Sequence, residues 1–324
     1  DQPREPPSAD FHATNRVVLL TGISGTPCNT PWGDYLLEVQ LKNKADWARL
    51  HGEKVFFFFL RTFFVKTVFK LFCSRFFTHP PLSLSLSVFI FSSFPLGYEL
   101  HQMAETRDPK IRPGAWQKLA LLQGALKEIP PSRAEWLLWM DMDVIINDPA
   151  TTFPLSWYEK HDLVMWGDVA KIKAGDVSGM NSGVLLIRNG PWARKLLDEV
   201  ARYAGYPVDT ALEQSLASQL TSYDVGMYEQ NPLTFLFKSR PEEFLEQHVR
   251  WEDALTMNVW YKKRLDPDVP QPPFVVHFAG CQLCNGFHPE KLGECDGLFL
   301  GHYAESVVRL ERAVREKQQQ KKGG

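Results

Sequence analysis

Residues Glu135 to Met140 read Glu-Trp-Leu-Leu-Trp-Met and run without interruption into Asp141, Met142 and Asp143. A short continuous apolar run of this kind suits a strand buried on both faces, not one alternating between core and water. A sheet built from such strands needs helices on both sides, which narrows the fold to an α/β layer architecture. Neighbouring segments agree. Arg16 to Gly22 is a second buried strand, Tyr98 to His101 a third, and Asp162–Trp166, Asn181–Arg188 and Phe274–Phe278 are further candidates. Between them, Asp34–His51, Trp116–Ile129, Pro191–Ala204 and Thr210–Leu220 carry helical patterns, and Pro191 suits a first helical turn. Strands alternating with helices predict a largely parallel sheet, with ligands gathering at the carboxyl ends of its strands.

Asp141 and Asp143 sit at such an end. One residue separates them, so an extended backbone points both carboxylates to one side. Paired hard oxygen ligands suit Mn²⁺ or Mg²⁺, and a cation held there can bridge to a diphosphate and act on it as a Lewis acid. A D-x-D alone is weak, because strand ends often carry solvated carboxylates. The apolar run before it and Val144-Ile145-Ile146 after it sharpen the reading. The chain's 36 basic and 38 acidic residues leave it near neutral, which excludes a nucleic-acid binder with a basic face.

One stretch does not belong to this pattern. Thirteen of the 22 phenylalanines fall between Glu53 and Gly97. Arg61, Lys66, Lys70, Arg75, Pro80 and Pro81 interrupt the stretch too often for a membrane span. Phe, Leu, Ser and Pro share pyrimidine-rich codons, as in the tract before a 3′ splice site. Gly52-Glu53 can encode a splice donor and Leu96-Gly97 an acceptor. Residues 53–97 therefore read as an aberrant insertion, a translated intron with a genuine family-specific insertion as the alternative, within a catalytic domain of 16–52 plus 98–301. Residues 1–15 read as a flexible leader or stem remnant, and 302–324 as a C-terminal helix with a basic tail. Without the insertion the chain keeps 31 basic and 37 acidic residues, a net charge of −6.

Asp141-Met142-Asp143, Asn181-Ser182-Gly183 with the strand to Asn189, Glu213-Gln214-Ser215 and His277-Phe278-Ala279-Gly280-Cys281 stand in the order seen in glycosyltransferase family 34. Leu20-Thr21-Gly22, Cys28, Gly33-Asp34-Tyr35, Asn43-Lys44 and Leu50-His51-Gly52 also resemble that family's opening. The resemblance implies a GT-A fold, the nucleotide-diphospho-sugar transferase form of a Rossmann-like mixed sheet flanked by helices. It also implies a Mn²⁺-dependent enzyme, with Mg²⁺ as a substitute, that retains anomeric configuration. Its donor would be a nucleotide sugar (UDP-Gal, UDP-Xyl or GDP-Man), and its acceptor a glycan or polysaccharide hydroxyl. By the same resemblance Asp141, Asp143 and His277 are the metal ligands. Thr21, Gly22, Asp141, Asn181, Ser182, Gly183 and Gly280 line the donor site, and Gln214 and Glu213 stand at the reacting carbon. Some plant members carry Lys after the Gly-Cys pair; this chain has Gln282, which weakens a xylosyl assignment. A non-catalytic carbohydrate-binding member, inactivated by residues 53–97, is the alternative.

Outside the insertion Cys28, Cys281, Cys284 and Cys295 remain. An even count suggests two disulfides; Cys281 and Cys284 could also form half a zinc site or a redox pair, but no second CxxC accompanies them. Family members are type II Golgi proteins, so the resemblance implies a lumenal domain whose anchor is absent from this chain, and homo- or hetero-oligomers with other glycosyltransferases.

Overall fold

The structure is a computed structural model that describes residues 17–23, 28, 30–51, 55–57, 98–104, 111, 114–221, 228–262, 272–281, 283 and 289–323. The chain opens with β1 (Val17–Ile23) and α1 (Pro31–Leu50). Helix α1 starts where Thr30 accepts a hydrogen bond from the Gly33 amide (3.0 Å) and Pro31 supplies a preset φ. Strands β2 (Val55–Phe57) and β3 (Tyr98–Ala104) follow, then α2 (Gln117–Glu128), β4 (Trp136–Met140) and β5 (Val144–Ile146). Next come β6 (Leu163–Gly167), α3 (Val169–Ala174), β7 (Met180–Arg188), α4 (Pro191–Ala201), α5 (Thr210–Ala217) and α6 (Gln230–Ser239). Strands β8 (Val249–Glu252), β9 (Val259–Trp260) and β10 (Val275–His277) precede α7 (Pro289–Gly323), which begins before the expected His302.

Seven strands form one sheet in the order β2-β3-β1-β4-β7-β6-β8, and β5-β10-β9 form a second, smaller one. The pairs β3–β1, β1–β4 and β6–β8 are parallel, whereas β7 runs antiparallel to both β4 and β6. The sheet is therefore mixed, the Rossmann-like sheet flanked by helices that the GT-A class requires. It is less parallel than the strand–helix alternation suggests. The chain turns back from β6 to β7 through the short α3, with no long crossover helix to carry it to a parallel neighbour.

Strand β4 is buried along its whole length, as its composition demands. On one face Leu137 and Trp139 pack with Leu119, Leu122 and Leu126 of α2 and with Leu196 and Val200 of α4. On the other, Trp136, Leu138 and Met140 meet Trp47 and Ala48 of α1 and Val144, Ile146 and Val275 of the small sheet. The outer side of the small sheet, Ile145 and Val276, is covered by Leu36 and Val39 of α1 and Phe299 of α7. A disulfide joins Cys281 to Cys295, and Cys28 is also disulfide-bonded. Of residues 53–97, only Val55–Phe57 are described, as the outer strand beside β3; the rest of the expected insertion lies outside the described residues, as does the expected leader. No helix among the described residues is long and apolar enough to cross a membrane.

Candidate active site

The two sheets meet at Asp141–Asp143. The Asp141 amide donates to the Gly183 carbonyl (2.7 Å), extending the β4–β7 pairing. Two residues later the Asp143 carbonyl accepts from the Phe278 amide (2.8 Å), at the end of β10. Between them the chain is a turn and not the extended segment expected, because the Val144 amide folds back on the Asp141 carbonyl (3.2 Å). The carboxylates converge all the same. One ligand atom each from Asp141, Asp143 and His277 lies within 4.8 Å of the other two.

Each member is held from behind. His277 Nδ1 donates to Asn258 Oδ1 (3.0 Å), which leaves Nε2 facing Asp143 Oδ1 (3.1 Å). Asn258 Nδ2 in turn donates to Asn181 Oδ1 (2.7 Å), which also accepts from the Gly183 amide (2.8 Å). Gly183 is required here by close approach, since a Cβ on it would stand 2.2 Å from His277 Cε1. The Asp141 carboxylate accepts from Trp139 Nε1 (2.6 Å) and pairs with Lys118 Nζ (3.0 Å). Lys118 is fully buried; it also donates to Glu229 Oε1 (2.7 Å) and the Ser182 carbonyl (3.0 Å). Ser182 Oγ adds a second donor to Glu229 Oε1 (2.9 Å), and its amide donates to Gln230 Oε1 (3.2 Å). Glu229 Oε2 is buried with no hydrogen-bond partner among the described residues.

These contacts set the charges. Burial disfavours a charged His277, but the charge and hydrogen bond of Asp143 outweigh it and raise the imidazole's pKa. Burial opposes ionisation of Asp143 too, and His277 and Lys44 reverse it, lowering that pKa. Asp141 is raised, by burial first, with Lys118 and His277 opposing and Asp143 adding to the rise. For Lys118, burial would lower the pKa; Asp141 and Glu229 overcome it and keep the ammonium charged. Lys118 faces Asp141 and Glu229, His277 faces Asp143, and Lys44 lies beneath Val144. Two hard oxygens and an imidazole whose Nδ1 is held by Asn258 form a donor set that fits Mn²⁺ or Mg²⁺.

Asp141, Asp143, His277, Asn181, Ser182 and Gly183 come together as one network. Gly22 adjoins it: a Cβ there would lie 3.1 Å from the ring of Trp139. Thr21 is buried beside it, and its hydroxyl has no hydrogen-bond partner among the described residues. Gly280 is exposed after β10 at φ +87°, a conformation that favours glycine. Glu213 and Gln214 are not members of the network. They lie in the first turns of α5, whose buried residue is Leu216. Glu213 faces a surface pocket with Arg202, Tyr203 and Asp209, and Gln214 is exposed. The acidic-Gln pair that the fold brings to Ser182 is Glu229–Gln230, at the start of α6. Lys118, Glu229, Gln230 and Asn258 all escaped the sequence reading. The sequence holds three Glu-Gln pairs, at 213, 229 and 246, and only tertiary structure selects among them.

A family model described as the galactosyl transferase GMA12/MNN10 family matches residues 95–288. Xyloglucan 6-xylosyltransferase 4 of Arabidopsis thaliana is 26% identical over 298 residues, covering 86% of this chain and 48% of that protein. Probable glycosyltransferase 3 of Oryza sativa subsp. japonica is 26% identical over 306 residues, covering 90% of this chain and 56% of its own. The chain spans about half the length of the curated relatives it matches. Among solved structures, the galactosyltransferase LgtC in complex with donor and acceptor sugar analogs aligns at TM-score 0.43 and 15% identity, over 86% of this chain and 95% of LgtC. A glycosyltransferase involved in glycosylation of the major capsid of PBCV-1 aligns at 0.45 and 13%, over 86% and 98%.

Proposed function

Because the chain belongs to the galactosyl transferase GMA12/MNN10 family, we propose that it is a retaining glycosyltransferase that moves a sugar from a nucleotide-sugar donor to a glycan hydroxyl. The convergence of Asp141, Asp143 and His277 where the two sheets meet carries this reading. These three residues would hold a divalent cation, Mn²⁺ by preference, which supplies Lewis-acid polarisation of the donor diphosphate. The protein's part is positioning. Asn258 fixes the His277 tautomer, while Lys118 and Trp139 hold Asp141 in place. Thr21 and Gly22 border the nucleoside side, and Asn181, Ser182 and Gly183 border the sugar. Glu229 offers a buried carboxylate oxygen, unsatisfied among the described residues, for a sugar hydroxyl, and Gln230 stands beside it; we assign them the place that the resemblance gave to Glu213 and Gln214. UDP-Gal, UDP-Xyl and GDP-Man are the candidate donors, and the acceptor is a glycan. A secretory lumen such as the Golgi fits the Cys281–Cys295 disulfide.

The test is hydrolysis and transfer from each of the three donors, with Mn²⁺ and with EDTA, and NMR of the anomeric product. One donor should turn over only with metal and keep its configuration, and Asp143→Ala should remove the metal response. No turnover together with no UDP or GDP binding would reject the enzyme.

A further inference from the structure

His277 lies in β10, and the strand beside it places an aromatic ring next to the proposed metal site. Strands β9 and β10 run parallel, with Trp260 in register with His277 and Val259 with Val276. Register partners in neighbouring strands project to the same face of a sheet. Trp260 therefore shares the face of the His277 imidazole. Asn258, two residues earlier on the same face, is the residue that hydrogen-bonds His277 Nδ1. The row from β9 thus has an inner member that fixes the metal ligand and an outer member that reaches solvent.

That outer member is unusual for its place. Its neighbours Val259, Phe278 and His277 are all buried, yet Trp260 is 50% exposed. It is also fixed: its indole Nε1 approaches the Ala279 carbonyl (3.4 Å), and Tyr261 packs edge-on at 5.8 Å while stacking on the buried Phe278 at 5.1 Å. Lys262 Nζ lies 5.9 Å from the ring centroid. A large ring that is anchored and left half in water beside a reaction centre offers a flat apolar surface to a ligand. The C–H face of a pyranose is apolar while its rim of hydroxyls is polar, so the indole face opposite the one the Lys262 ammonium lies over suits a sugar.

Three ligands of the proposed reaction have flat or apolar faces, the nucleobase, the donor sugar and the acceptor sugar, and Asn181, Ser182 and Gly183 border the donor sugar. Position separates them. Thr21 and Gly22 end β1, which neighbours β4 in the large sheet, whereas Trp260 ends the outermost strand of the small sheet, beyond β5 and β10. The metal ligands lie between. We infer that Trp260 is the platform on which a sugar ring of the glycan acceptor stacks, opposite the nucleoside side of the site. This rests on the glycosyltransferase reading and names the acceptor subsite of that same site.

The test is isothermal titration with cellohexaose and α-1,6-mannohexaose in the absence of nucleotide, alongside titration of UDP with Mn²⁺. Wild type should bind one of the two oligosaccharides. Trp260→Ala should weaken that binding about tenfold or more, while Trp260→Phe, which keeps a ring, should hold most of it. UDP affinity with Mn²⁺ should stay within about twofold in both variants, which a ring acting only to prop His277 would not allow. Trp260→Phe with an unaltered melting temperature guards against misfolding. Oligosaccharide affinity equal to wild type in Trp260→Ala, or no binding of either oligosaccharide to wild type, overturns the platform. So does a parallel loss of UDP affinity, which would assign the ring to the donor. Failure of wild type to bind UDP would instead reject the glycosyltransferase reading and leave the oligosaccharide arm to decide Trp260 by itself.

Discussion

Replacing Gly183 by alanine is the sharpest probe of the proposed metal site, because one methyl group reaches one ligand and the asparagine beside it. The added Cβ would stand 2.2 Å from His277 Cε1 and 2.8 Å from Nδ1 and from Asn181 Oδ1. Carbon atoms in contact sit about 3.5–4 Å apart, so the imidazole must retreat by more than about 1 Å. Gly183 is not among the described glycines with positive φ, so the backbone accepts alanine and the clash is with the ring and with Asn181 Oδ1. His277 cannot swing away freely: it is buried, and moving it breaks its bonds to Asn258 and Asp143. Overpacking of this kind costs about 1–3 kcal/mol of stability. The functional cost should be larger, since a displacement of about 1 Å at a reaction centre is worth on the order of 100-fold. Gly183→Ala should therefore melt only slightly earlier yet bind Mn²⁺ about 10- to 100-fold more weakly, as read by electron paramagnetic resonance of free Mn²⁺. Wild-type Mn²⁺ affinity in a folded Gly183→Ala protein would refute His277 as a ligand.

Other consequences follow from the same contacts. Glu229→Gln should lower transfer by about 100-fold or more, while Glu213→Gln should change it by less than about threefold; the reverse ranking in steady-state kinetics would restore the pair in α5. The raised pKa of His277 favours its protonated form over that of a free imidazole, so Mn²⁺ binding competes with a proton there. Titration in two buffers of different ionisation enthalpy should reveal proton release at pH 7, and identical heats would contradict it. Lys44 is buried, and desolvation lowers its pKa from 10.5 to about 7 despite the pull of Asp143 and Asp141. Between those values the unfolded chain binds more protons, so stability rises with pH by about 2 kcal/mol from pH 7 to 9. Urea denaturation should show that slope in wild type and its loss in Lys44→Met; equal slopes would place the ammonium in water. Removing the Cys281–Cys295 disulfide, which spans a sequence separation of 14, should cost about 3 kcal/mol in the same assay, and a negligible change would assign α7 another anchor.

What could be read from the sequence was what repeats locally. Trp136–Met140 is apolar throughout because both faces of β4 are covered, and that pattern needs no knowledge of its neighbours. Pro31 and Pro191 mark helix starts for reasons confined to one turn. Asp141 and Asp143 stand at a strand end, and His277 closes a short apolar strand, so their place could be anticipated. Lys118 could not. It is one of two lysines in α2, and only the arrival of Asp141 and Glu229, 23 and 111 residues away, makes its burial tolerable. Asn258 follows a short helical turn at Ala254–Met257 and acquires meaning only when β10 is laid beside it. The three Glu-Gln pairs are the clearest limit, since identical dipeptides are told apart solely by which one the fold sets against Ser182.

The site's construction explains why such long-range residues are needed. Asp141 belongs to the large sheet through Gly183, and Asp143 to the small sheet through Phe278, so the two carboxylates are neighbours in sequence but anchored to different bodies. Their spacing is fixed only when the sheets dock. Helix α1 supplies the clamp: Asn43 exchanges hydrogen bonds with both backbone groups of Ile146 (2.7 and 2.9 Å), and Lys44 donates to the Val144 carbonyl (2.9 Å). An amide side chain here does what a neighbouring strand would do, pinning β5 directly after the carboxylates. Residues 55–57, by contrast, lie at the far edge of the large sheet, with β3 and β1 between them and β4. A change at that edge reaches the carboxylates through two intervening strands or through α1, which it also touches, whereas a change in α1 reaches them through one hydrogen bond. Sensitivity of the site should therefore follow the clamp from α1, and not distance along the chain.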